Sequence, residues 1–114
     1  MNKSKAKGTY FETRVRKYLE DGGLEVKRLA IGGMNDEGDL SFLDVAAECK
    51  NVTNLAIPNW VRQAEKEQKN AKKKWWSLIV NRKNHELGQA YVVISLEYYR
   101  DLITSKSIDD TIEL

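Results

Sequence analysis

Phe11, Val15, Tyr18 and Leu19 recur at i, i+4, i+7 and i+8 in a polar stretch. That is the spacing of one helical face, and it predicts a helix over residues 9–20. Gly22 and Gly23 follow it, where glycine ends a helix. Residues 24–31 then alternate, with Leu24, Val26 and Arg28 set against Glu25, Lys27 and Leu29, the period of a strand. Gly32 to Gly38 has the composition of a loop. Residues 39–43 and 45–50 are two short apolar-rich runs with almost nothing between them, which predicts a tight hairpin.

Pro58 suits the first turn of a second helix, where its missing N–H is not needed. This helix is expected to reach Lys74, with Trp60, Val61, Ala64, Ala71 and Trp75 on its apolar face. Residues 76–81 and 89–94 read as a second strand pair. Ser95 is placed to cap a last helix carrying Tyr98, Tyr99, Leu102 and Ile103. The order is α-β-β-β-α-β-β-α, which fits an α/β domain with a central mixed sheet flanked by helices.

The chain has 114 residues, enough for a single domain, 1–114. Its ends are expected to be loose: a flexible basic arm at 1–7 and a frayed acidic tail at 105–114. With 41 % apolar residues, disorder throughout is excluded. No apolar run approaches the roughly 20 residues of a membrane span, and none follows the basic N-terminus as in a signal peptide. One cysteine and one histidine exclude a disulfide framework and a zinc site. A cytoplasmic location is the expectation. The net charge of +2 hides an uneven distribution: +5 over residues 1–17, −5 over 18–59, +6 over 60–83 and −4 thereafter.

The acidic block holds the candidate chemistry. Glu48 and Lys50 flank Cys49 on one strand, so both point to one face while Cys49 points to the other. A neighbouring strand can bring Asp39 beside them. Two carboxylates are the hard oxygen ligands that Mg²⁺ or Mn²⁺ prefers. A lysine beside such a metal can hold and help deprotonate a water, a combination suited to phosphodiester hydrolysis. Glu12 lies about 20° around the helical wheel from Leu19, at the border of the apolar stripe. It either completes the site or pairs on the surface with Arg16. Asp36 and Glu37 are competing carboxylates in the loop.

Lys7-Gly8-x-x-x-Glu12, Gly22/Gly23, Val26-x-Arg28, Gly38-Asp39-Leu40 and Glu48-Cys49-Lys50, in this order, resemble the archaeal-type Holliday junction resolvases. These belong to the PD-(D/E)XK nuclease superfamily, which includes phage-encoded and prokaryotic members of this size. Arg62-Gln63-Ala64-Glu65-Lys66 resembles the segment that follows the motif in that family. The resemblance spans roughly residues 5–95 and implies a restriction-endonuclease-like core. It implies that Asp39, Glu48 and the backbone carbonyl of Cys49 hold Mg²⁺, with Mn²⁺ as a substitute. Glu12 would bind or support a metal, directly or through water, and Lys50 would activate the attacking water. Gln63 would orient a catalytic group, unless it is a solvent-side helical glutamine. Where the family often has a serine-containing loop, this chain has Gly32 to Glu37.

The basic segments then acquire a partner. Lys3, Lys5, Lys7, Arg14, Arg16 and Arg28 flank the candidate site. Arg62, Lys66, Lys69, Lys72 and Lys73 form a cationic face opposite the apolar stripe of the second helix. Such faces meet phosphates without reading bases, although cations at a helix C-terminus also complement its dipole. Trp75 and Trp76 are expected to be structural rather than base-stacking, and His85 a turn residue. The expected activity is a Mg²⁺-dependent endodeoxyribonuclease that resolves four-way DNA junctions in recombination and repair. Paired nicks would require a homodimer. The alternatives are another PD-(D/E)XK endonuclease of restriction or repair type, a non-catalytic nucleic-acid-binding module of the same fold, or an interaction domain whose basic faces are only solvated.

Overall fold

The computed structural model describes the backbone of residues 3–29 and 38–112 and the side chains of 6–29 and 38–105. Asp36, Glu37 and the rest of the 32–37 loop lie outside the described residues, as do the side chains of Lys3 and Lys5. Three helices and five strands follow one another as α1 (Lys3–Asp21), β1 (Lys27–Arg28), β2 (Leu40–Phe42), β3 (Val45–Lys50), α2 (Ile57–Ala71), β4 (Trp75–Val80), β5 (Tyr91–Val93) and α3 (Leu96–Ile112). A 3-10 turn at Leu87–Gln89 precedes β5. The five strands form one mixed sheet in the order β1-β2-β3-β4-β5. All pairings are antiparallel except β3 with β4, which α2 joins as a crossover.

Several elements differ in extent from the sequence expectation. The basic arm at 1–7 is, from Lys3 on, the first turns of α1. The frayed tail is likewise helical as far as Ile112. Among the described residues of the strand expected over 24–31, Lys27 and Arg28 are the ones that pair with β2, opposite Ser41 and Leu40. α2 stops at Ala71, not Lys74. Lys72 takes the left-handed conformation (φ 57°) and its N–H donates back to the carbonyls of Gln68 and Lys69. Trp75 therefore leaves the helix and begins β4, where its ring stacks on Tyr98 with centroids 4.8 Å apart.

Local chemistry explains the boundaries. Gly23 (φ 99°) closes α1. Its N–H donates to the Glu20 carbonyl, and the Leu24 N–H donates to that of Leu19, the paired bonds of a Schellman motif. Ser95 Oγ accepts the Tyr98 N–H at 3.0 Å and caps α3.

The hairpin register, Leu40 against Ala47 and Phe42 against Val45, sends alternate side chains to opposite faces. One face carries Leu40, Ala47, Cys49 and Ile79 against Phe11 and Val15 of α1. α2 packs on β3 and β4 from the other side, with Ala64 and Glu67 buried. Leu40, Ala47 and Leu78 have no exposed surface at all. No helix among the described residues is long and apolar enough to cross a membrane.

Candidate active site

Asp39 is fixed by the first residues of the hairpin. Its N–H donates to the Ala47 carbonyl at 3.0 Å, and its own carbonyl accepts the Leu29 N–H at 2.9 Å. Its Oδ2 accepts the backbone N–H of Cys49 at 2.8 Å. Asp39 is thereby locked against the strand that carries Glu48 and Lys50. Those two project from the same face of β3, with Lys50 Nζ 3.5 Å from Glu48 Oε1 and 6.0 Å from the centre of the Trp60 ring. Cys49, between them, faces the α1 core, as the alternation predicts.

α1 contributes Glu12 from the opposite layer. Arg28 Nη2 donates to Glu12 Oε2 at 3.1 Å and also reaches Thr13 Oγ1 and the Thr9 carbonyl. Glu12 is therefore not the partner of Arg16, which lies 3.7 Å from Glu20 instead. Burial pushes the Glu12 carboxyl up to about 7; the charge of Asp39 and a hydrogen bond with it add to the rise, and Arg28 opposes it.

Glu48 is more strongly perturbed, and the cause was not visible in the motif. Burial, then a hydrogen bond with Glu67, then the negative charges of Asp39 and Glu67, raise it to about 11 against the opposing charge of Lys50. Glu67 comes from α2 and is 2 % exposed. Gln63 Nε2 donates to Glu67 Oε1 at 2.9 Å, so Gln63 faces inward and supports the site through Glu67 rather than lying on the solvent side. Gly38 makes room for this group: a Cβ there would lie 3.3 Å from Glu67 Oε2. A signal for Glu67 existed. It falls seven residues after Trp60 and three after Ala64, inside the stripe read as apolar.

Four carboxyl groups from α1, β3, α2 and the start of β2 thus influence one another at one end of the sheet, Asp39 helping to raise Glu12, and Glu67 and Asp39 helping to raise Glu48. The same negative cluster, with burial, raises the Cys49 thiol above its usual range. The oxygen donors suit a hard divalent cation in chemical type. In the hydrogen-bonded arrangement described here, no three His, Cys, Asp or Glu side chains among the described residues are spaced to hold one.

The expected DNA-contacting residues divide. Arg62, Lys66 and Lys69 are exposed along α2, with Lys72 beyond its end; Arg62 donates to Asn59. Lys7 is exposed on α1. Arg28 and Arg16 are engaged with carboxylates, and Arg14 lies over the Tyr10 ring. His85 occupies a turn, bonded to Lys83 and Arg82. No protein-family model, curated protein or solved structure matches this chain.

Proposed function

We propose that this protein is a Mg²⁺-dependent, structure-selective endodeoxyribonuclease that resolves four-way DNA junctions by paired nicks. The single observation that carries the reading is the meeting of Glu12, Asp39, Glu48 and Lys50 at one sheet end, from three separate elements. A mixed sheet with helices on both faces is compatible with the restriction-endonuclease-like core that the motif resemblance implies.

In this reading Asp39 and Glu48 would hold the Mg²⁺, with Glu12 and the Cys49 carbonyl in support. The cation would supply charge neutralisation at the scissile phosphate. Lys50 donates hydrogen bonds to the attacking water and stabilises it as it loses a proton. Its position 3.5 Å from Glu48 would fix the ammonium beside the metal-binding carboxylates, and the water's proton would pass to bulk solvent. One constellation per 114-residue chain means that nicks on opposing strands require two copies related by a two-fold axis.

The test is a cleavage gel on a four-way junction and a matched linear duplex, with and without Mg²⁺. Paired nicks confined to the junction and to Mg²⁺ are expected, and Lys50→Ala should slow them by about 10²- to 10⁴-fold. Equal rates on both substrates would leave a general PD-(D/E)XK endonuclease. Binding without cleavage at any Mg²⁺ or Mn²⁺ concentration would leave a non-catalytic module.

A further inference from the structure

β3 and β4 run parallel and end together, at Lys50 and Val80. The residues just beyond them build a groove that opens beside Lys50. Its floor is a pair of amides: Asn81 Nδ2 donates to Asn51 Oδ1 at 2.9 Å, and the Asn81 N–H donates to the Lys50 carbonyl at 2.9 Å. Lys7 from α1 and Lys83 from the loop after β4 line its walls, with Thr53 between. The groove continues past Asn81 and Lys83 to Arg82 and Tyr91 at the sheet edge. Among the described residues, no carboxylate lines either part.

Arg82 is pre-arranged for an anion. Its guanidinium lies 4.6 Å from the centre of the Tyr91 ring and donates to the Gln89 carbonyl and to His85 Nε2. His85 Nδ1 in turn bonds the Lys83 carbonyl, which joins the two basic residues through one turn. Three cations from two elements, hydrogen-bonding amides and an absence of acids form a surface for phosphates rather than for bases. With Arg82 covering it, Tyr91 serves as a platform for that cation and not as a stacking face.

We infer that this groove carries the backbone phosphates of the DNA strand leaving the scissile position, with Lys7, Lys83 and Arg82 as the contacts. The inference rests on the nuclease reading for where the strand starts. It adds Lys83 and Arg82, which no motif includes, to Lys7. The groove runs from Lys7 and Asn51, the residue after Lys50, to Tyr91 of β5, along the sheet end where β3 and β4 finish.

The experiment is fluorescence anisotropy of a labelled four-way junction in EDTA, as a function of salt, for the parent, Lys7→Ala, Lys83→Ala and Lys74→Ala. Lys74 is the control, because it precedes β4 and Lys83 follows it, at opposite ends of one strand. Losing one phosphate contact lowers the slope of log K against log salt by about 0.9 and weakens binding roughly eight-fold at about 0.1 M salt. That is expected for Lys7→Ala and Lys83→Ala, with Lys74→Ala at the parent's values. Parent-like affinity and slope in both groove variants, or an equal loss in Lys74→Ala, would overturn the groove and leave the nuclease reading standing. A parent protein that does not bind the junction overturns both.

Discussion

The carboxyl groups of Glu48 on β3 and Glu67 on α2 are both buried, at or below 5 % exposure, and Glu67 helps to hold Glu48 protonated by its hydrogen bonding and its charge. Two buried acids that interact resist being ionised together, which favours the protonated form of Glu48. The pair ties the helix layer to the functional strand.

Glu67→Gln keeps a donor toward Glu48 and an acceptor for Gln63, and is expected to change stability by less than about 1 kcal/mol. Glu67→Ala leaves both neighbours without that partner and is expected to cost about 2–3 kcal/mol. Urea denaturation of the two variants beside the parent checks this. Equal losses would mean that packing, not hydrogen bonding, holds the site.

Gly38 is the hinge on which this arrangement depends. Its φ of 98° suits glycine, and an added Cβ would crowd both Glu67 Oε2 at 3.3 Å and the Ala47 carbonyl at 3.4 Å. Gly38→Ala is expected to destabilise by about 1–3 kcal/mol. Part of that cost should vanish in a Glu67→Ala background, so a double-mutant cycle should show clear non-additivity.

Stability of the metal-free protein should fall as pH rises. Glu12 stands at about 7 and Glu48 at about 11 in the fold, each against 4.5 for an unperturbed glutamate. Above pH 4.5 the unfolded chain has released protons that the folded state still holds. Stability is therefore full below that point and declines with rising pH, through both groups up to about 7 and through Glu48 alone beyond it. If the carboxylates hold Mg²⁺ as proposed, the cation would compete with those protons, and its stabilising effect should grow over the same range. Urea midpoints across pH, with and without Mg²⁺, read both trends, and Glu48→Gln should flatten the metal-free one.

Arg28 is the only described cation bonded to Glu12, and it opposes the rise in that carboxyl. Arg28→Ala should push Glu12 further above 7. If Glu12 acts as a carboxylate, the acidic limb of the cleavage profile then moves to higher pH, with less change on the alkaline side. A pH–rate series on the junction substrate measures the displacement. An unmoved limb would remove Glu12 from the ionisations that control the rate.

Local spacing carried most of the architecture. The heptad-like recurrence of Phe11, Val15, Tyr18 and Leu19, the hairpin after Gly38, Ser95 as a cap and the order of eight elements all follow from rules acting within a few residues. The placement of Glu48 and Lys50 on one face, with Cys49 opposite, follows from the two-residue period of a strand. Element ends were less legible. Lys72 terminates α2 by its own left-handed backbone, and among the described residues β1 pairs with β2 only at Lys27 and Arg28.

Partnership across layers was decided by the tertiary structure alone. Glu12 could equally have met Arg16 one turn along; the fold gave it Arg28 and Asp39, because β1 and the hairpin pack against α1. Glu67 sat in an apolar stripe as an apparent exception until α2 docked on β3 and brought it to Glu48. A sequence prescribes which face a side chain takes, since that depends on backbone period. Which charged groups meet, and how far their ionisation shifts, depends on the packing of residues distant in the chain. In this protein that packing joined two acidic pairs at one sheet end.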